Sequence, residues 1–214
     1  MLLTRRALFT AAAGLAAAPV LLPAAGRPGS GLRPAGPGRA AGNRSRFPNV
    51  TLVTQDGEKV RFYDDLVKGK IIMINAFYAT CTGICPRGTK VLRDVQDRLG
   101  DRVGRDVFMY SLTLRPVEDT PEVLKDYADT YEVGPGWRFL TGRPEDCELL
   151  RRRLGFAQTD PKLDADLSQH TGSVLAGNER LDRWMQCSTA IPAVEILRGL
   201  TSLRLDVGPL PPIV

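Results

Sequence analysis

Two cysteines four residues apart, Cys81 and Cys85, with Pro86 directly after the second, and the single histidine, His170, are the residues of this 214-residue chain whose types could do chemistry together. A thiolate is both the nucleophile of disulfide exchange and a soft metal ligand, and the spacing of the pair leaves both uses open. Pro86 marks the first turn of a helix, where a missing N–H costs nothing. Cys85 is therefore expected beside the positive end of the helix dipole, with a lowered pKa. His170 narrows the choice. Two thiolates and one imidazole suit Cu(I), because soft sulfur favours it and it accepts low coordination numbers. Zinc asks for a fourth ligand that no other histidine or well-spaced cysteine offers. The competing explanation of His170 is a surface histidine without a role.

These residues need elements to hold them. "KIIMINAFYA" (70–79) is a near-continuous apolar run bounded by turns, which reads as a strand buried on both faces. It runs straight into the cysteine pair. After Pro86 the spacing becomes helical, with Val91, Leu92, Val95 and Leu99 on one face and Gly100 as the stop. "NVTLVTQDGEKVRFYD" alternates about Asp56-Gly57 and predicts an N-terminal hairpin. "DVFMYSLTL" (106–114) is a second buried strand, followed by a helix over 119–131 that Asp119 or Thr120 caps and Pro121 opens. "WRFLTG" is a short strand, and 143–155 is a further helix. "FAQTDPKLDADLSQH" is polar and irregular. "GSVLAG", a turn at Asn178 and "LDRWMQC" close the sheet as a hairpin, before a terminal helix from Ser188 to about Leu200. Strands alternating with helices make an α/β fold, a central mixed sheet flanked by helices. A buried strand running into a cysteine pair at a helix start resembles the thioredoxin-like arrangement. The site is then expected on an exposed loop at the carboxyl end of a central strand. His170 stands at the mouth of the loop leading into the third buried strand, whose near end is expected close to the start of the second.

Residues 1–26 read as an export leader: Arg5 and Arg6 form a twin-arginine pair ahead of a long Ala/Leu run that ends in small residues. The alternative is an uncleaved membrane anchor, since the run approaches the ~20 residues that a span needs. Residues 27–46 are a Gly/Pro/Arg linker, and 47–214 form the folded domain. Residues 1–46 hold seven of the 29 basic residues and none of the 24 acidic ones, so the remainder sets 22 against 24 and carries a formal charge of about −2. A nucleic-acid partner, which calls for a basic patch on the domain itself, is thereby disfavoured. Outside the motif, Cys147 and Cys187 are expected to be buried and free, with a disulfide between them as the alternative in an exported protein. Met109 and Met185 are core residues, and the Arg151–Arg153 run is the solvated end of its helix.

With "CTGICP", "DTPEVLKDYADTY", "WRFLTG" and His170 ahead of a strand, the chain resembles the SCO/SenC family of copper-binding, thioredoxin-like proteins over residues 47–200. The resemblance implies a periplasmic or membrane-tethered protein that binds copper, Cu(I) ahead of Cu(II), through Cys81, Cys85 and His170. It implies a role in delivering copper to the dinuclear centre of cytochrome c oxidase, or in keeping the cysteines of that centre reduced. The partner is then the copper-bearing oxidase subunit or another copper or thiol protein. Two positions depart from the pattern: Thr82-Gly83 stands where the family usually has Pro-Asp, and Arg115 where an acidic residue is usual. Two other functions compete with copper delivery. One is thiol–disulfide exchange through Cys81 and Cys85; the other, weaker, is a thiol peroxidase, for which no Arg and Thr set can be assigned.

Overall fold

The computed structural model of the chain describes residues 46–166 and 172–203. The leader, the linker up to residue 45 and His170 lie outside these.

The hairpin forms as its turn residues require. β1 (Thr51–Thr54) pairs antiparallel with β2 (Lys59–Arg61), and Gly57 takes the positive φ of 77° that the turn demands. The next residues, read from their alternation as strand, are instead a single π-helical turn, Phe62–Val67. There follow β3 (Ile71–Phe77), α1 (Ile84–Leu99), β4 (Phe108–Thr113), α2 (Pro121–Thr130), β5 (Trp137–Gly142), α3 (Pro144–Arg153), α4 (Pro161–Ala165), β6 (Ser173–Asn178), β7 (Arg183–Ser188) and α5 (Ala193–Ser202). The last helix begins later than expected, because Ser188 still pairs with Ser173 and Pro192 precedes the first helical residue.

The seven strands form one mixed sheet in the order β2-β1-β5-β4-β3-β6-β7, with β3, β4 and β5 parallel. Strand alternation sends Met73, Phe77, Met109, Phe139 and Val174 to one face, where they pack with Leu92 and Val95 of α1, Leu124 and Tyr127 of α2 and Ile196 of α5. Ile72, Ile74, Tyr110, Leu112 and Leu140 face the opposite way, against Phe62 and Leu66 of the π-helical turn and Leu150 of α3. Each such side chain, fully buried, contributes roughly 1.5–3 kcal/mol. Helices on both faces thus grip β3 and β4, and fix the ends of these strands on which the motif is carried.

Three expectations are corrected here. β6 runs antiparallel to β3, pairing Val174 with Asn75, so its first residues lie by the end of β3 and not by the start of β4. The polar segment contains α4, because the Asp160 carboxylate accepts from the Lys162 N–H at 2.8 Å and Pro161 is preset for the first helical position. Arg151 is not solvated: it is 8% exposed and is held by Glu148 and, through both ends of its guanidinium, by Asp164. That ion pair fastens α4 to α3.

Candidate metal centre

β3 ends at Phe77, and the chain turns through Tyr78, whose carbonyl accepts from the Cys81 N–H at 3.2 Å. A buried carboxylate fixes that turn. Asp119, 0% exposed, accepts from the Ala79 N–H at 3.2 and 3.3 Å and from the Thr113 hydroxyl. It thereby joins the ends of β3 and β4 to the start of α2. The cap of α2 is Thr120, whose hydroxyl accepts from the Val123 N–H at 3.4 Å, so of the two candidate caps Asp119 has turned inward.

Cys81 lies just before α1 and Cys85 in its first turn, both buried, at 7% and 5% exposure. The loop is exposed as expected at Thr80, Thr82 and Gly83, but the two cysteines it carries are buried. Its electrostatics also reverse the assignment of the two thiols. Burial pushes the Cys81 thiol up, but the backbone N–H and thiol of Cys85, the N–H of Gly83 and the Tyr78 hydroxyl all donate to its sulfur, and together they hold it below the ordinary thiol value. Cys85 goes far the other way: burial raises it, its proton is committed to the Cys81 sulfur, and the charges of Cys81 and Asp119 oppose ionisation. Helix-start N–H groups do lower a thiol here, but the thiol is Cys81, which faces them, and not Cys85, which is enclosed among them.

Arg115 reaches this site. Its guanidinium lies over the Tyr78 ring, 4.9 Å from the centroid, and Tyr78, held above the ordinary phenol value chiefly by burial, donates to Cys81. On the other side, Gly172 has a φ of 54° and sits so close to Ile84 that any side chain on it would strike the Ile84 Cδ1. Its carbonyl accepts from both the N–H and the hydroxyl of Thr189 at 2.7 Å. The chain re-enters the described structure against the motif loop, two residues after His170. Among the described residues no three His, Cys, Asp or Glu side chains are grouped to hold a metal ion. The pair alone offers two soft donors.

The remaining thiols are elsewhere. Cys147 is buried in α3 against one face of the sheet, and Cys187 packs against the core of the other face; both are free, and the sheet stands between them. Met109 is a core residue at 1% exposure, and Met185 packs against the same core. Sequence reasoning missed Tyr78 and the inward turn of Asp119. Neither has a spacing signal, because a strand-end tyrosine and a helix-start aspartate are equally common as packing and capping residues.

Comparison with known proteins now bears on this geometry. The family model described as SCO1/SenC matches residues 41–190. The SCO1 protein homolog of Bacillus subtilis (strain 168) is 32% identical over 93 residues, 43% of this chain and 47% of the relative, so the match spans about half of that protein. The copper-bound structure of Bradyrhizobium japonicum ScoI superposes with a TM-score of 0.59 at 22% identity, over 73% of this chain and 98% of that one. The structure of BsSco, reported with a disulfide switch and as a member of the Sco family of cytochrome c oxidase assembly proteins, gives 0.59 at 24% identity over 73% and 92%. At these identities the two structures establish the shared thioredoxin-like fold.

Proposed function

The chain belongs to the SCO1/SenC family, and from that premise we propose that it binds one copper ion through Cys81, Cys85 and His170 and passes it to the copper-bearing subunit of cytochrome c oxidase. The observation that carries this reading is the state of the Cys81 sulfur: shielded from water, favoured as thiolate and hydrogen-bonded to a second sulfur. Two such donors fit Cu(I), and ligands that must lose a proton make binding weaken as pH falls. Cys85 is the group that gives up its proton when the ion is taken. His170 supplies the third donor; the two peptide units between it and Gly172 can span at most about 7 Å, and Gly172 touches the motif loop. The copper in Bradyrhizobium japonicum ScoI and the oxidase-assembly role given for the family of BsSco support the same reading. The Arg5-Arg6 leader would carry the domain to the extracytoplasmic side, cleaved or kept as a tether.

A second reading, thiol–disulfide exchange, draws on the asymmetry of the two thiols. Cys81 attacks one sulfur of a partner disulfide and the other leaves as thiolate. Cys85 then loses its proton and attacks the Cys81 sulfur, which closes the Cys81–Cys85 disulfide and transfers two electrons to the partner. The cation of Arg115 beside the site favours thiolates and opposes a bound cation, which also suits this reading.

Titration of the reduced protein with Cu(I) separates the two. One ion per chain is expected, with tight binding abolished by Cys81→Ser or Cys85→Ser and retention weakened by His170→Ala without loss of the ability to form the disulfide. Wild-type copper retention by His170→Ala, together with strong disulfide-reducing activity, would replace copper delivery with exchange.

A further inference from the structure

From the placement of charge around the thiol pair we infer a docking surface for an acidic polypeptide segment. The inference rests on Cys81 and Cys85 being the exchange site, and it names the kind of partner that reaches them. A groove of about 490 Å³ runs beside the motif loop, lined by Thr82, Gly83, Ile84 and Arg87 on one side and by Thr189 and Ala190 on the other. Arg87 is exposed, as is Lys90 one turn further along α1, and neither has an ion-pair partner among the described residues. The later cations of that helix differ: Arg93 pairs with Asp97, and Arg98 with Asp94 at 2.8 Å. Across the thiol pair, Arg115 sits over Tyr78 with no carboxylate at ion-pair distance among the described residues, although its charge is felt by the buried Asp119, and Val117 beyond it is 72% exposed. The exposed acid of this rim is Glu118, beside the buried Asp119.

Cations without an ion-pair partner among the described residues, on a domain of slightly negative formal charge, are a local arrangement and not a consequence of composition. Set around an apolar groove, they select an incoming chain by charge, raising its association rate and excluding basic competitors. An extended segment with Asp or Glu flanking its reacting sulfur would lay those carboxylates against Arg87, Lys90 and Arg115.

Two synthetic peptides test this. Each carries one cysteine as a pyridyl disulfide, and they differ only in having flanking Glu or flanking Lys. The Cys81 thiolate attacks the peptide sulfur, the peptide–pyridyl bond breaks, and pyridinethione leaves with the electron pair and takes a proton from water. Every rate is divided by that of dipyridyl disulfide, which is small and uncharged, so that changes in the thiol itself cancel. At low ionic strength the Glu peptide should react with the reduced protein about tenfold faster than the Lys peptide. The gap should close in ~1 M salt, where the screening length falls to ~3 Å. Arg87→Glu combined with Arg115→Glu should reverse the preference. Equal rates, a faster Lys peptide, reaction with dipyridyl disulfide alone, or a pair silent to all three reagents would overturn the surface. Cu(I) titration keeps the two readings apart: a charge preference without copper binding removes copper delivery and leaves the surface standing, and copper binding without a charge preference does the opposite.

Discussion

Cys81 and Cys147 are hidden to a similar degree, at 7% and 3% exposure, yet their thiols lie on opposite sides of the ordinary value. Burial pushes Cys147 up to about 12, and the neighbouring Asp146 and Glu145 charges push the same way. Burial pushes Cys81 up as well, but Cys81 stands at the mouth of α1, whose first N–H groups have no carbonyl partners within the helix. Those of Gly83 and Cys85 turn to its sulfur instead, joined by the Tyr78 hydroxyl. Cys147, one turn inside α3, meets no such donors among the described residues, and its own N–H donates to the Arg143 carbonyl at 3.0 Å. What makes a buried thiol reactive is therefore the set of unused donors around it, and a helix start supplies them where a helix body cannot.

The largest expected effect follows directly. In the folded, reduced protein, alkylation near neutral pH should modify Cys81 faster than Cys147 by orders of magnitude, because Cys81 is held below the ordinary thiol value and Cys147 is pushed up to about 12, so far more of Cys81 is thiolate. Since the Cys81 value is lowered, its rate should persist as pH drops below the ordinary thiol range, whereas Cys147 should gain reactivity only near pH 12 or on unfolding. Mass mapping of the labelled sites reads this out, and Cys147 labelled first would break the comparison. A smaller effect comes from the support of the motif turn. Asp119→Ala leaves the Ala79 N–H without its buried partner and should lower stability by about 2 kcal/mol, measured by denaturant unfolding. Smaller again, Tyr78→Phe removes one donor from the Cys81 sulfur and should move its alkylation profile to higher pH, with Cys147 unaffected.

The smallest effect belongs to the Cys147 side of the molecule. The Arg151 guanidinium and the Gln158 N–H hold the Asp164 carboxyl well below the usual carboxylate range. A depressed folded value means that its contribution is present above the unfolded value and is lost as pH falls through the folded one. Asp164→Asn should therefore lower the Tm by a few °C at neutral pH, and the difference should shrink in acid. An undiminished difference at low pH would place the stabilisation elsewhere.

The two regions also differ in how much of them could be read beforehand. Around the motif the signals were local and strong: an apolar run too continuous for anything but a two-sided strand, Pro86 at a helix start, and Gly57 and Gly100 where backbone with positive φ is needed. The cysteine pair followed from spacing alone, but which thiol ionises did not, because that depends on which sulfur the free N–H groups face. On the α3 side the readings were weaker. Arg151 looks like one of three exposed arginines until α4 brings Asp164 onto it, and α4 itself hides in a polar stretch whose only helical signals are Asp160 and Pro161. The π-helical turn at Phe62–Val67 was invisible because its first residues continue the strand's alternation.

X-ray absorption at the copper edge, on the reduced protein loaded with one equivalent of Cu(I), tests the claim that the donor-rich pair and not the donor-poor thiol holds the metal. Two sulfur neighbours and one nitrogen are expected, the nitrogen lost in His170→Ala and the spectrum unchanged in Cys147→Ser. A shell of light atoms only, or a spectrum that changes with Cys147 while surviving the loss of Cys81, would contradict it.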